Sequence, residues 1–412
     1  MSPLLIFIDK MKSGRHGHQY NNTIPKFKID ISKETIYNTI NAPDRVNFID
    51  SLRFIMCIGI AIYHFIPYFY SNINWEYNIS LFLSYFTDMF FFLSGFFAAK
   101  SSLERFEQSG LHSLSALRSW FARVYPLHVI TFSFYLSILL LNQFWPHGLI
   151  SPGRYDTQNI LPNILLLHGV GIGNGLSFNY PSWAISAIFW SYCLFLVAAP
   201  LHRFDTMRLS CLLLVSVAFA LALQHFEVES ISKMQENNLG FFRALPSFLL
   251  GAVLYRCPKP RVPDGVSLVL FAAAIALLFA HPAPLVGMTR ILAIGLVFYV
   301  LLIAHQSGSR LLRLLRPLER WGKISFGVYL WHGVVATILL RILFEGVFGD
   351  LHQFAAHHPI AADLEILIAL GASIGLAFFS RATLEKAAGA LVSRLAAHSM
   401  GSLRSVHRYF QF

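Results

Sequence analysis

The chain has 412 residues, 55% of them hydrophobic and only 13% charged, with a mean hydropathy of +0.55. A soluble globule cannot cover that much apolar side chain, so the composition excludes one and describes a polytopic membrane protein. The formal net charge of +11 then belongs to membrane-flanking loops that meet anionic lipid, and nucleic acid, which needs a soluble basic face, is excluded as a partner.

Residues 1–45 are polar and basic, with Lys10, Lys12, Arg15, Lys26 and Lys28, and read as a cytoplasmic tail. Leu4-Leu-Ile-Phe-Ile8 is too short for a signal-peptide core and lacks a cleavage site behind it, so the first span is expected to do the targeting. That span runs from about Phe48 to Tyr70, and a second from about Ile79 to Ala99. The basic segment 100–123 reads as cytoplasmic, and a third span covers about Val124 to Phe144.

Within the long loop that follows, Ile160–Val170 is apolar but too short to cross, and counting it would put His202, Arg203 and Arg208 outside. It either lies on the outer surface or is re-entrant. Further spans are expected near 183–201, 209–225, 241–255, 264–281, 288–306, 324–345 and 361–380. The fold class is therefore all-α, with about ten transmembrane helices in a domain over 46–384. Basic clusters at Arg256/Lys259/Arg261, at Arg310–Lys323 and in the tail 385–412 put both termini in the cytoplasm. Cys57, Cys193, Cys211 and Cys257 show no paired spacing and are expected to be buried, inert thiols rather than a disulfide or metal framework.

The first span carries Arg53 and His64, eleven residues apart. On an α-helix that separates them by about 16 Å along the axis and about 20° around it, so both lie on one face at different depths. Ionisable groups cost roughly 2.5–3.5 kcal/mol each at the centre of a membrane helix, so an aligned pair implies a polar path through the protein. For Arg53 alone, snorkelling to the near surface is an equal reading. Asp88, the single carboxylate of the second span, needs a partner, and the first helix offers the nearest candidates. It reads equally as an ion pair between helices and as an orienting group for His64.

Arg118 and Arg123 sit at the mouth of the third span and, with Arg53, suit a phosphate-bearing ligand; contact with lipid head groups is the simpler account of the two. Ser325, Tyr329 and His332 share one helical face, which makes His332 a second catalytic candidate. Arg243, Arg290 and Arg341 fall near the outer ends of their spans, where positive charge is disfavoured. They are candidate contacts for an anionic or sugar-bearing acceptor, with snorkelling as the competing account. No GxSxG, HExxH or Walker pattern is present.

Taken together and in this order, several segments resemble the acyltransferase-3 family of integral membrane proteins. They are Asp50-Ser-Leu-Arg53 with His64, Asp88-Met-Phe-Phe-Phe-Leu-Ser-Gly-Phe96, Arg123-Val-Tyr-Pro126, Pro181-Ser-Trp183, Arg243-Ala-Leu-Pro246, Phe248-Leu-Leu-Gly251 and Ile324-Ser-Phe-Gly-Val-Tyr-Leu-Trp-His332. The resemblance implies transfer of an acyl group, usually acetyl, from cytoplasmic acyl-CoA to a hydroxyl of a glycan or lipid-linked sugar. Membrane lipid and polysaccharide assembly proteins are then expected partners, the bacterial inner membrane the expected location, and acetyl-CoA a donor substrate rather than a resident cofactor.

By the same resemblance His64 is the essential histidine and Arg53 its arginine partner, with Trp183 and Tyr329 as further substrate contacts. Three positions depart from the family pattern: Ile188 in place of a glutamate, Trp120 in place of an arginine and Ser247 in place of an acidic residue. They leave room for altered substrate choice or loss of activity, and two other expectations stand beside acyl transfer. One is a proton-coupled transporter or flippase using Arg53, His64 and Asp88 as a relay; the other is an inactive scaffold of a polysaccharide export complex.

Overall fold

The structure, a computed structural model, describes residues 48–71, 74–106, 112–144, 155–199, 205–226, 234–236, 238–279, 286–385 and 387. They fall in one compact unit that begins at Val46. The expected tails, apart from 385 and 387, lie outside the described residues. Regular structure among the described residues is helical. In chain order the helices are α1 (Phe48–Phe69), α2 (Trp75–Leu83), α3 (Phe86–Phe106), α4 (His112–Asn142), the single-turn α5 (Ile160–Ile164), α6 (Trp183–Val197), α7 (Thr206–Phe226), α8 (Gly240–Arg256), α9 (Asp264–Phe279) and α10 (Val286–Gln306). Two 3₁₀ segments, Arg310–Leu314 and Arg316–Ile324, lead into α11 (Ser325–Val335). The latter continues as a π-helical stretch, Ala336–Phe344, before α12 (Glu345–Phe348), α13 (Leu351–His357) and α14 (Pro359–Ala382).

Six helical stretches are long and apolar enough to cross a membrane: Phe48–Phe69, Trp120–Asn142, Tyr180–Val197, Thr206–His225, Arg316–Phe348 and Pro359–Ala382. Shorter apolar helices occupy Asp264–Leu278 and Ile291–Gln306. The protein is thus an all-helical, multi-pass membrane protein.

The span expected over 79–99 is divided by a turn at Ser84-Tyr85 into α2 and α3. The break has a physical return. It places Asp88 in the first turn of α3, where the helix dipole favours a carboxylate, and the Ser84 carbonyl, which accepts from Thr87 N–H in the turn, also accepts from Arg243 Nη2 at 3.4 Å. α3 and α8 pack backbone to backbone. A Cβ on Gly95 would come within 1.7 Å of the Phe248 carbonyl oxygen, and one on Gly251 within 2.0 Å of that of Phe92. Small residues such as Gly95 and Gly251 permit such an approach between membrane helices.

The apolar segment 160–170 takes the re-entrant course. Tyr155 rests on Tyr135 of α4, with ring centroids 6.1 Å apart. The Asn163 and Ile164 carbonyls then accept from His128 Nε2 at 3.0 Å and Tyr125 Oη at 2.9 Å. Ten residues of α4 separate Tyr125 from Tyr135, so the chain descends about 15 Å along that helix. It turns at Leu166, whose φ of 55° is left-handed and whose carbonyl accepts from Ser186 Oγ and Trp190 Nε1. Climbing back, it anchors Asn179 Nδ2 to Thr131 Oγ1 at 3.0 Å. The residues that follow, Tyr180-Pro-Ser182, reach the site.

Candidate active site

His64 lies five residues before the C-terminal end of α1, and its ring faces protein. It stacks on His332 of α11, centroids 5.2 Å apart and planes 17° apart, and meets the Tyr180 ring edge-on at 4.8 Å and that of Tyr63 at 4.5 Å. His332 is fully buried and is also packed against Phe65 and Tyr329. Tyr329 donates its hydroxyl to the Pro181 carbonyl at 2.5 Å, which ties α11 to the end of the re-entrant segment. The two histidines that the sequence placed on separate spans therefore form one site.

Asp88 and Arg243, which the sequence left apart, form a buried bidentate pair. Arg243 Nη2 lies 2.7 Å from Asp88 Oδ2 and Nε 3.3 Å from Oδ1, at 2% and 0% side-chain exposure. The same guanidinium donates to Gln235 Oε1 at 2.9 Å and lies 5.5 Å from the Trp183 ring and 6.0 Å from that of Tyr85. The partner of Asp88 is thus an arginine 155 residues away rather than a group on α1. Trp183, expected at the substrate, packs over that arginine, and Gly240 leaves its ring the space.

At the N-terminal end of α1, half-buried Arg53 lies 3.4 Å from Asp50 and 5.0 Å from the Phe97 ring centroid. Exposed Arg123 is close enough for its charge to act on Arg53. The third member expected there, Arg118, has its side chain outside the described residues, as does Arg290. Arg341 is exposed and paired with Glu345 at 2.9 Å. Among the described residues no cluster of metal-ligating side chains occurs.

Tyr180 and Gln235 were missed by sequence reasoning. Tyr180 had a signal, since it directly precedes Pro181-Ser-Trp183; Gln235 had none. Of the departures from the family pattern, Trp120 packs its ring 5.7 Å from that of Phe189. Ser247 is fully buried, and its Oγ has no partner among the described residues.

The acyltransferase domain family model matches residues 46–385. The chain is 24% identical over 285 residues to BcsY of Komagataeibacter xylinus, named as a membrane-bound transacylase, covering 64% of this chain and 69% of that protein. It is 27% identical over 299 residues to the acyltransferase MdmB of Streptomyces mycarofaciens, covering 68% of this chain and 74% of that one. No solved structure gives a significant match. With both histidines, the arginine of α1 and the matched span on one chain, this protein belongs to the acyltransferase-3 family of membrane acyltransferases.

Proposed function

We propose that the protein is an O-acyltransferase of the bacterial inner membrane that moves an acetyl group from cytoplasmic acetyl-CoA to a hydroxyl of a cell-surface polysaccharide or lipid-linked sugar. The observation that carries this reading is the His64–His332 stack at 5.2 Å, held inside a helix bundle with Arg53 on the same face of α1. The relatives named as an acyltransferase and a membrane-bound transacylase support the reaction class. About ten helices cross, namely α1, α3, α4, α6 to α11 and α14, with both termini cytoplasmic. Arg53 then lies at the inner face and His64 toward the outer one.

The donor's phosphates meet Arg53, Arg118 and Arg123, whose guanidinium groups fork onto phosphate oxygens. The pantetheine arm extends about 16 Å along α1 and brings the thioester to His64. A neutral imidazole of the pair accepts the proton of the attacking hydroxyl, a role worth roughly 10²–10⁴-fold. A two-step route through an acyl-histidine uses the same groups. Arg290 and Arg341 meet the acceptor on the outer side, where the assembly proteins of the polysaccharide are the partners to look for.

In a strain whose only copy carries His64→Ala, the protein is expected to reach the membrane folded while the acetyl increment disappears from the surface glycan, read by mass spectrometry. Retained acetylation would remove His64 from the chemistry. Thermal stabilisation of the solubilised protein by CoA is expected under this reading and not under a proton-coupled transporter.

A further inference from the structure

The two stacked histidines are not equivalent. His64 is partly exposed and stands on the helix that carries Arg53, whereas His332 is fully buried on α11. His332 Nδ1 lies 3.3 Å from the Val328 carbonyl oxygen, with the Tyr329 carbonyl beside it. Carbonyl oxygens only accept, so Nδ1 carries the ring's proton and the neutral ring presents Nε2 as a bare lone pair. That Nε2 has no hydrogen-bond partner among the described residues. Buried acceptors are almost always satisfied in folded proteins, so a lone pair kept this way on a ring stacked against the reacting histidine calls for a donor from outside the chain.

Resting on the acyl-transfer reading above, we infer that this donor is the acceptor hydroxyl, and that His332 rather than His64 is the base that deprotonates it. The hydroxyl hydrogen passes to His332 Nε2 as the oxygen bonds to the thioester carbonyl carbon. The carbon–sulfur bond then breaks, and the departing CoA thiolate takes the proton from His332, leaving ester, free thiol and two neutral rings. The rings hold one extra proton between them, because a second would set like charges 5.2 Å apart in a low-dielectric interior. His64 is left to meet the thioester at the end of the donor's path along α1.

The test uses the full chain in nanodiscs with acetyl-CoA as donor and octyl β-D-glucoside as hydroxyl probe, counting CoA and acetylated glycoside by mass spectrometry. His332→Gln keeps a polar side chain but cannot take a proton. Its kcat is expected to fall roughly 10²–10⁴-fold, with the KM for acetyl-CoA within about threefold of wild type and thermal stability unchanged. A kcat within about threefold of wild type, or a loss confined to the KM for acetyl-CoA, overturns the assignment. Solid-state NMR on ¹⁵N-histidine, ¹³C-carbonyl-valine wild type reads the tautomer with no variant, and so decides if His332→Gln does not fold. Nδ1–H coupled to a valine carbonyl is expected, and a proton on Nε2 overturns the proposal. A wild type that releases no CoA, with glycoside or with water as acceptor, would bring down the acyl-transfer reading itself, whereas failure of the His332 arm alone leaves that reading standing.

Discussion

At 0% and 2% exposure, neither Asp88 nor Arg243 has water to fall back on if its partner is lost. Breaking a buried ion pair by removing one member typically costs about 3–5 kcal/mol, because the survivor is left charged and uncompensated. Asp88→Ala is therefore expected to lower the thermal midpoint of the solubilised protein severely, whereas Asp88→Leu combined with Arg243→Met should recover much of the loss. A single mutant as stable as wild type would show that the pair does not hold the fold. Hydropathy made the need for a partner at Asp88 legible, because a lone carboxylate in an apolar span is costly. It could not find that partner, since Arg243 reads by itself as a misplaced charge at a helix end.

Between elements, α3 and α8 approach backbone to backbone. Gly95 and Gly251 stand about two turns beyond Asp88 and Arg243, so the glycine contacts and the ion pair clamp the same two helices. Gly95→Ala would drive a methyl group to 1.7 Å from the Phe248 carbonyl, and backbone cannot move aside as a flexible side chain can. Overpacking of this kind costs about 1–3 kcal/mol, and here the separation would also stretch the ion pair. A lowered thermal midpoint together with reduced acyl transfer is expected; unchanged stability would mean that the helices part freely. The Ser94-Gly95 sequence made this packing legible, because small residues are how membrane helices approach. The division of the second span at Ser84-Tyr85 was not legible, since nothing apolar is lost there and the reason for it, the Arg243 contact with the Ser84 carbonyl, is tertiary.

Across the whole molecule, α1 is the spine that relates the two ends of the site: Arg53 near one terminus, with Arg123 acting on it, and the imidazole stack near the other. This much was present in the spacing alone, because a helix fixes both the distance and the shared face of two residues eleven apart. If Arg53 holds the nucleotide phosphates of the donor, its contribution must vanish for a donor that has none. A hydrogen bond to a charged group is worth about 1.5–3 kcal/mol, so Arg53→Ala should lower kcat/KM for acetyl-CoA by about ten- to a hundredfold. With acetyl-pantetheine, which keeps the thioester arm but lacks the nucleotide, the same substitution should leave kcat/KM nearly unchanged. Comparing the two donors separates anchoring from structure: a misfolded α1 would slow both equally, and equal losses would place the phosphates elsewhere. A loss seen only with the full donor would tie the N-terminal end of α1 to the nucleotide and its other end to the thioester, through the length of one helix.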